Sequence, residues 1–263
     1  MYRGFSLKID ESYCSEILKS LKSNVHNLKL NHNFYNPYDL YVEQILVEQI
    51  LIENIVNHQS LDAEKIKGDW FPIIESDIFI SHSHKDLDTV EKLATILSKY
   101  LKLRVFIDSK VWKYSDNLVQ MIEEKYCVSE KSIHDKIVAH VNIMLSSALT
   151  KMLNKTECVI FLNSNNSLVP NKYYSSQQTD SPWIYYELFI TSLLPVKSPN
   201  RTVPFEIRNE AQQFQILHTV PLNHLTDLDN VDLKNWIEKS RISNKNPLDV
   251  LYNLKPAKIN TSN

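Results

Sequence analysis

The chain has 263 residues, of which 43% are hydrophobic and 23% are charged, and its formal net charge is −2. This composition predicts a globular protein with one sizeable core and appended segments, and it excludes the basic face of a nucleic-acid binder or an anionic-membrane binder. The chain has only two glycines. Dinucleotide-binding G-x-G-x-x-G turns, Walker loops and typical kinases need several glycines at fixed spacing, so these classes are excluded as well.

The cysteine pattern and the hydropathy pattern point to the same environment. Cys14, Cys127 and Cys158 are far apart and odd in number, and no C-x-x-C pair occurs. Neither a zinc knuckle nor a disulfide framework is indicated, and a reducing, cytoplasmic compartment fits best. Residues 1–10 lack the apolar core of a signal peptide, and charges interrupt every apolar stretch before about 18 residues. We therefore predict no membrane span.

Residues 1–75 are predicted to be a helical N-terminal extension. Within it, Val42 to Val56 reads as a tandem pentad, V-E-Q-I-L twice and then I-E-N-I-V. Five residues advance about 140° on a helix, so the polar side chains do not collect on one side. Two interpretations remain open. The helix packs against an α/β core on more than one face, or it contacts a second copy of the chain or a partner protein.

A βαβ unit is predicted from Asp77 onward. The apolar run Asp77–Ile80 is typical of a central parallel strand and ends in Ser81 and His82. An amphipathic helix follows from Leu87, with Asp86 interpreted as a residue of the helix start. A second apolar run, Leu103–Ile107, is closed by Asp108.

Further elements continue this alternation to residue 240. We predict a loop with Trp112 and Lys113, helices over 116–126 and 132–153, a strand over 158–162, a helix over 181–194, a strand over 215–220 and a helix over 232–239. Residues 241–263 are predicted to be a loosely ordered tail. The order of elements predicts a doubly wound, flavodoxin-like parallel sheet.

Three strings, in order, resemble the motifs of TIR (Toll/interleukin-1 receptor) domains. They are D-I-F-I-S-H-S-H-K-D at 77–86, V-F-I-D at 105–108 and S-P-W-I-Y-Y-E-L at 181–188. The resemblance covers residues 76–240 and implies a TIR-like α/β domain. The chain departs from the family between Asp108 and Cys158, where it is longer and more helical, and where the third strand of a standard TIR sheet is not visible.

The resemblance implies a chemistry for the third string. Enzymatic TIR domains cleave the bond between nicotinamide and ribose in NAD+, which is their substrate, and they need no cofactor. The transition state is oxocarbenium-like, so a nearby carboxylate and an aromatic face both help. Trp183 and Glu187 are four residues apart and share a helix face. We expect Glu187 to be the catalytic carboxylate and Trp183 to shape the nicotinamide pocket; the alternative is a surface glutamate beside a packed tryptophan.

Other residues are expected at the same edge of the sheet. Ser81 and His82 end the first strand of the domain and are predicted to contact ribose or phosphate, unless they form only a polar turn. Asp108, Trp112 and Lys113 follow the second strand and are predicted to close over the adenine half of NAD+ or to bind a neighbouring subunit. We expect no metal, because the sequence near the histidines offers no third ligand.

The leading hypothesis is a NAD+ glycohydrolase or ADP-ribosyl cyclase resembling prokaryotic TIR effectors of antiviral (anti-phage) defence, of which Thoeris is one example. It implies a homo-oligomer, or a partner protein held through TIR surfaces and the N-terminal helix. Two alternatives remain: a non-enzymatic TIR adaptor that acts by self-association, and a nucleoside deoxyribosyltransferase-like enzyme. The Trp183–Glu187 pair favours an enzyme, since an adaptor does not need it.

Overall fold

The computed structural model describes residues 1–23, 61–112, 115–126, 130–169, 178–197, 199 and 222–256. The pentad segment 42–56, Lys113 and the strand predicted over 215–220 lie outside these residues. The chain divides into two compact units. The first comprises Met1–Phe34, Ser76–Val105 and Leu153–Asn263, and the second comprises Tyr35–Glu75 and Phe106–Met152.

A parallel five-stranded sheet organises the fold, as the predicted α/β class requires. Its spatial order is β3-β2-β4-β1-β5. The strands are β1 Arg3–Leu7, β2 Ile78–Ser81, β3 Val105–Phe106, β4 Cys158–Leu162 and β5 Leu225–Leu228. Every residue of β2 and β4 is buried, as expected of short apolar runs that are covered on both faces.

The N-terminal residues differ from the expectation of a helical extension, because β1 lies inside the sheet. Arg3–Leu7 pairs in parallel with Cys158–Leu162 on one side, and Gly4–Leu7 pairs with Leu225–Leu228 on the other. The side chains of Phe5 and Leu7 are fully buried. The first residues are therefore part of the α/β core, and the helix predicted for this region begins only at Glu11.

The position of β1 completes the strand order of the sheet. A flavodoxin-like sheet places its strands in the order 2-1-3-4-5. Here β3, β2, β4 and β5 occupy the places of strands 2, 1, 3 and 5. The place of strand 4 is filled from the N-terminus by β1.

Helices of the first unit cover both faces of the sheet. The helices of the described residues are α1 Glu11–Ser23, α2 Ala63–Trp70, α3 Leu87–Leu101, α4 Asp108–Val111, α5 Ser115–Tyr126, α6 Lys131–Lys155, α7 Pro182–Leu193, α8 Asn230–Ile242 and α9 Pro247–Leu254. On one face, α1 packs on α3, α3 on α8 and α8 on α9. The ring of Tyr252 in α9 stacks on Phe5 with centroids 6.2 Å apart.

The opposite face carries α7. Successive residues of a strand point to opposite faces, so Phe5 and Ser6 face different layers. Ser6 is in register with Phe161, which forms one core cluster with Ile184 and Leu188 of α7. The sheet is thus sandwiched between α7 and the α1, α3, α8 and α9 layer.

The second unit contains α2, α4, α5 and most of α6. Asp62 begins α2, and its carboxylate accepts hydrogen bonds from the backbone N–H groups of Glu64 and Lys65 at 2.9 and 3.3 Å. His134 of α6 pairs with Glu123 of α5. Within the described parts of the chain, none of the helices combines the length and apolarity that crossing a membrane requires.

Candidate functional site

The carboxyl edge of the sheet is the place where a parallel α/β fold binds ligands. β2 ends there at Ser81 and is followed by His82, while β4 ends there at Leu162 and is followed by Asn163. Because β2 and β4 are neighbours, the loops after them start side by side. The predicted residues Ser81 and His82 therefore lie at the expected edge.

A row of side chains crosses three strands next to this edge. Ser81 of β2 is in register with Phe161 of β4, and Phe161 is in register with Ser6 of β1. Residues in register on parallel strands point to the same face, so both hydroxyls lie on the face that α7 covers. Sequence reasoning missed Ser6, because β1 was not predicted.

The helix that carries the predicted catalytic residue begins with a well-formed cap. The Ser181 hydroxyl accepts a hydrogen bond from the backbone N–H of Ile184 at 3.3 Å, and Pro182 is the first helical residue. The buried side chains Ile184, Glu187, Leu188 and Thr191 follow at the spacing of one helix face. This face packs on the sheet, since Ile184 and Leu188 belong to the cluster of Phe161.

Glu187 is therefore on the sheet-facing side of α7 and not on the surface. Its side chain is only 3% exposed. Trp183, one turn earlier, is half-buried. At about 100° per residue, Trp183 and Glu187 lie on one flank of the buried stripe. Tyr185 and Phe189, whose rings stack at 5.9 Å, lie on the other flank. Glutamate is rarely buried in this way, and its placement calls for a reason.

The hydroxyls of Ser81 and Ser6 differ in how they are satisfied. Ser81 is fully buried, and its Oγ has no hydrogen-bond partner among the residues that the structure describes. Ser6 is 2% exposed, and its Oγ accepts a hydrogen bond from Asn163 Nδ2 at 3.1 Å. An unsatisfied buried hydroxyl costs roughly 1–3 kcal/mol. Ser81 is thus a group that a bound ligand would satisfy.

His82 is held against its own strand. Its ring is 5% exposed, and Nδ1 lies 3.1 Å from the carbonyl oxygen of Ile80. A carbonyl oxygen only accepts, so this contact places a proton on Nδ1. The ring also stacks on His84, with centroids 6.3 Å apart. These contacts orient the imidazole at the edge of β2.

Asp86 lies at the start of α3, as predicted, and it has a further role. It precedes α3, but its side chain makes no capping hydrogen bond. Its carboxylate instead accepts hydrogen bonds from three residues of the loop after β4: Ser164 Oγ, Asn166 Nδ2 at 2.7 Å and Ser167 Oγ at 3.5 Å. Only the polar string after β4 hinted at such a network in the sequence.

Trp112 belongs to the second unit and has a packing role there. Its ring is 6% exposed, and its indole N–H donates to the carbonyl oxygen of Pro72 at 2.9 Å. The rings of Phe71 and Phe106 pack edge-on against it, at 5.7 and 5.2 Å. Packing already uses the ring and its N–H group, and the predicted contact of Trp112 with adenine or with a neighbouring subunit stays a prediction.

The remaining predicted residues of this loop stay predictions. Asp108 is the first residue of α4 and is half-buried, and its backbone carbonyl accepts a hydrogen bond from the N–H of Trp112 at 2.7 Å. Lys113 lies outside the described residues. Ser81, His82, Trp183 and Glu187 all belong to the first unit, in which Ser81 lies on the α7 face of the sheet and Glu187 on the sheet-facing side of α7.

No protein-family model, curated protein or solved structure matches the chain. The resemblance to TIR domains therefore depends on the three sequence strings alone.

Proposed function

We propose that the chain is a TIR-like enzyme that cleaves the nicotinamide–ribose bond of NAD+. The observation that carries the proposal is the burial of Glu187 on the sheet-facing side of α7, one turn after the half-buried Trp183. A role only at the surface does not explain why this glutamate lies in the buried stripe. Stabilisation of a cationic sugar does explain it, because the carboxylate interacts more strongly with a positive charge away from water.

The reaction needs little from the protein besides this carboxylate. The bond between the ribose C1′ and the pyridine nitrogen breaks, and its electron pair leaves with neutral nicotinamide. Positive charge then develops on C1′ and the ring oxygen, as in glycoside hydrolysis. Glu187 stabilises that charge, and Trp183 offers a ring face to nicotinamide. Attack by water yields ADP-ribose and a proton, while attack by an adenine nitrogen of the same molecule yields a cyclic isomer.

The edge of the sheet offers polar groups for the rest of the substrate. Ser81 has a buried hydroxyl on the α7 face, and a ribose hydroxyl is a suitable partner for it. His82 is oriented beside it. These groups support the expectation that Ser81 and His82 contact ribose or phosphate.

The strand order supports the TIR-like part of the proposal. TIR domains share the flavodoxin-like arrangement, and the sheet has that arrangement once β1 is counted as its fourth strand. In the proposed setting, removal of NAD+ by an assembled form of the chain in the cytoplasm serves antiviral defence.

The test is incubation with NAD+ and chromatography of the products. Replacing Glu187 by Gln keeps the shape of the side chain and removes its charge, and we expect turnover to fall about 10²-fold or more. Thr191→Val is the matched control, since Thr191 is 2% exposed on the same face of α7. It should keep the turnover of the wild type. Equal turnover in wild type and Glu187→Gln would rule out the assigned role.

The same assay separates the two alternatives. A panel that adds purine and pyrimidine deoxynucleosides would reveal base exchange if the chain is deoxyribosyltransferase-like. An adaptor would leave every substrate intact at all protein concentrations. We expect release of nicotinamide from NAD+ and no reaction of the nucleosides.

A further inference from the structure

Asp86 joins two loops that the chain keeps far apart in sequence. It lies after β2, and its partners Ser164, Asn166 and Ser167 lie after β4. One carboxylate oxygen, Oδ2, accepts from the Ser164 hydroxyl and lies 3.5 Å from the Ser167 hydroxyl, and the other, Oδ1, accepts from the amide of Asn166. Asp86 is 9% exposed and Ser167 is fully buried, so solvent replaces these bonds poorly.

The loop that Asp86 holds is itself internally ordered. Ser164 Oγ accepts hydrogen bonds from the backbone N–H groups of Asn166 and Ser167, at 3.1 and 3.0 Å. The Ser167 hydroxyl also lies 2.8 Å from the carbonyl oxygen of Leu162, the last residue of β4. The segment 164–167 is therefore a turn whose position depends on both β4 and Asp86.

This turn is connected to α7 through contacts on either side of residues 170–177. Leu168 packs in the cluster that contains Ile184 and Leu188. The backbone N–H of Val169 donates to the carbonyl oxygen of Gln178 at 2.7 Å. Thr179 Oγ1 then accepts a hydrogen bond from the N–H of Ser181, the residue that caps α7.

We propose that Asp86 is a positioning residue that sets the place of the loop after β4 and, through it, the N-terminal half of α7. Trp183 and Glu187 lie in that half, so Asp86 aligns them with Ser81 and His82 at the end of its own strand. The catalytic part of this inference rests on the proposed function. The structural part does not, because it concerns only how firmly residues 163–169 are held.

The test uses the fact that the two carboxylate oxygens of Asp86 accept hydrogen bonds from different residues. In Asp86→Asn, the amide oxygen still accepts from Ser164, but the new NH2 group pairs with Asn166 only after the Asn166 amide has turned over, and the charge of the acceptor is lost. We expect faster hydrogen exchange in residues 163–169. We also expect kcat for NAD+ to fall roughly tenfold with KM changed less, within the ~10²-fold that a misplacement of 1 Å costs.

A double variant restores the hydrogen bond between positions 86 and 166 with donor and acceptor exchanged. In Asp86→Asn with Asn166→Asp, the amide at 86 donates to the carboxylate at 166, and the amide oxygen keeps the serines. We expect this swap to recover most of the kcat and the slow exchange. Asp88→Asn is the control, since Asp88 is exposed in the first turn of the same helix. It should match the wild type in both measurements.

The outcomes separate the two proposals. If the wild type leaves NAD+ intact, the proposed function fails, and the exchange of residues 163–169 alone decides the role of Asp86. Unchanged exchange and kcat in Asp86→Asn, or a swap that recovers neither, would overturn the positioning role. Faster exchange with unchanged kcat would overturn its link to catalysis.

Discussion

Two serines on one row of the sheet illustrate how the same side chain serves stability or binding. Ser6 and Ser81 are both buried on the α7 face, two strands apart. Asn163 satisfies the hydroxyl of Ser6, whereas no described residue satisfies the hydroxyl of Ser81. In the function proposed above, the hydroxyl of Ser81 finds its partner in the substrate.

This contrast leads to opposite expectations for two alanine variants. Ser81→Ala removes an unsatisfied group, so we expect the free energy of unfolding to stay level or rise by up to ~1 kcal/mol. The KM for NAD+ should rise in the same variant. Ser6→Ala breaks a hydrogen bond and should lower the free energy of unfolding by about 1 kcal/mol. Urea titrations and initial rates measure both quantities; a clear loss of stability in Ser81→Ala would contradict the assignment.

At the residue scale, features that depend on local spacing were easier to predict from the sequence than contacts between residues far apart in the chain. Trp183 and Glu187 were singled out by their resemblance to a TIR motif, and their four-residue spacing places both side chains on one helix face; their roles stay predictions. The partners of Asp86 were missed because they follow a different strand, and only the sheet brings them together. The packing of Trp112 was not foreseen, because a tryptophan in a loop gives the same sequence signal whether it packs or binds, and its predicted contact stays a prediction.

Among the elements, β1 is a strand that its sequence pattern does not predict. Its five residues, R-G-F-S-L, contain a glycine and only two large apolar side chains. Glycine weakens a strand prediction in general. Here an added Cβ at Gly4 would lie 2.5 Å from Leu225 Cδ2, so the residue suits the close approach of β5. The short apolar runs of β2 and β4 carry no such interruption and were predicted correctly.

The burial of β1 makes its side chains essential to stability. Phe5 is fully buried in the core. We expect Phe5→Ala to lower the free energy of unfolding by about 3–5 kcal/mol. Phe189→Ala is the matched control, because Phe189 is 39% exposed on α7, and its effect should be much smaller. Denaturant unfolding of the two variants compares them. Equal effects would mean that β1 is dispensable.

The last strand was not predicted where it occurs. The sequence of β5 is L-T-D-L, with a polar pair in the middle, and only Leu228 is buried. An edge strand that is half exposed lacks the apolar run on which strand prediction depends. This segment forms a strand because it pairs with β1, and its local sequence does not indicate that pairing.

For the molecule as a whole, two buried thiols report on global unfolding. Cys14 and Cys158 are free and fully buried. Burial raises the pKa of the Cys14 thiol from 9.0 to about 12, and burial also raises the pKa of Cys158. When folding raises the pKa of a thiol, the contribution of that thiol to stability is fully present below the pKa of the unfolded chain. It is lost progressively as pH rises from that pKa towards the pKa of the folded protein.

We therefore expect wild-type stability to fall between about pH 8 and about pH 10, with Cys14 responsible for roughly 1 kcal/mol of the loss. The Cys14→Ala variant should show a smaller decline over the same interval, although it starts from a lower value. Urea unfolding at the two pH values measures the difference. Identical declines in the two proteins would show that Cys14 ionises equally in the folded and unfolded chains.

The central place of β1 has a consequence for the order in which the chain acquires its structure. Arg3 pairs with Cys158 and Gly4 pairs with Leu225, so β1 finds its neighbours only after synthesis has passed these later residues. Such non-local pairing slows folding and leaves strand edges uncovered in the meantime. Until β1 docks, β4 and β5 have no hydrogen-bonding neighbour between them, and the sheet lacks its continuity. Folding of the α/β core is thus tied to synthesis of the chain as far as β5.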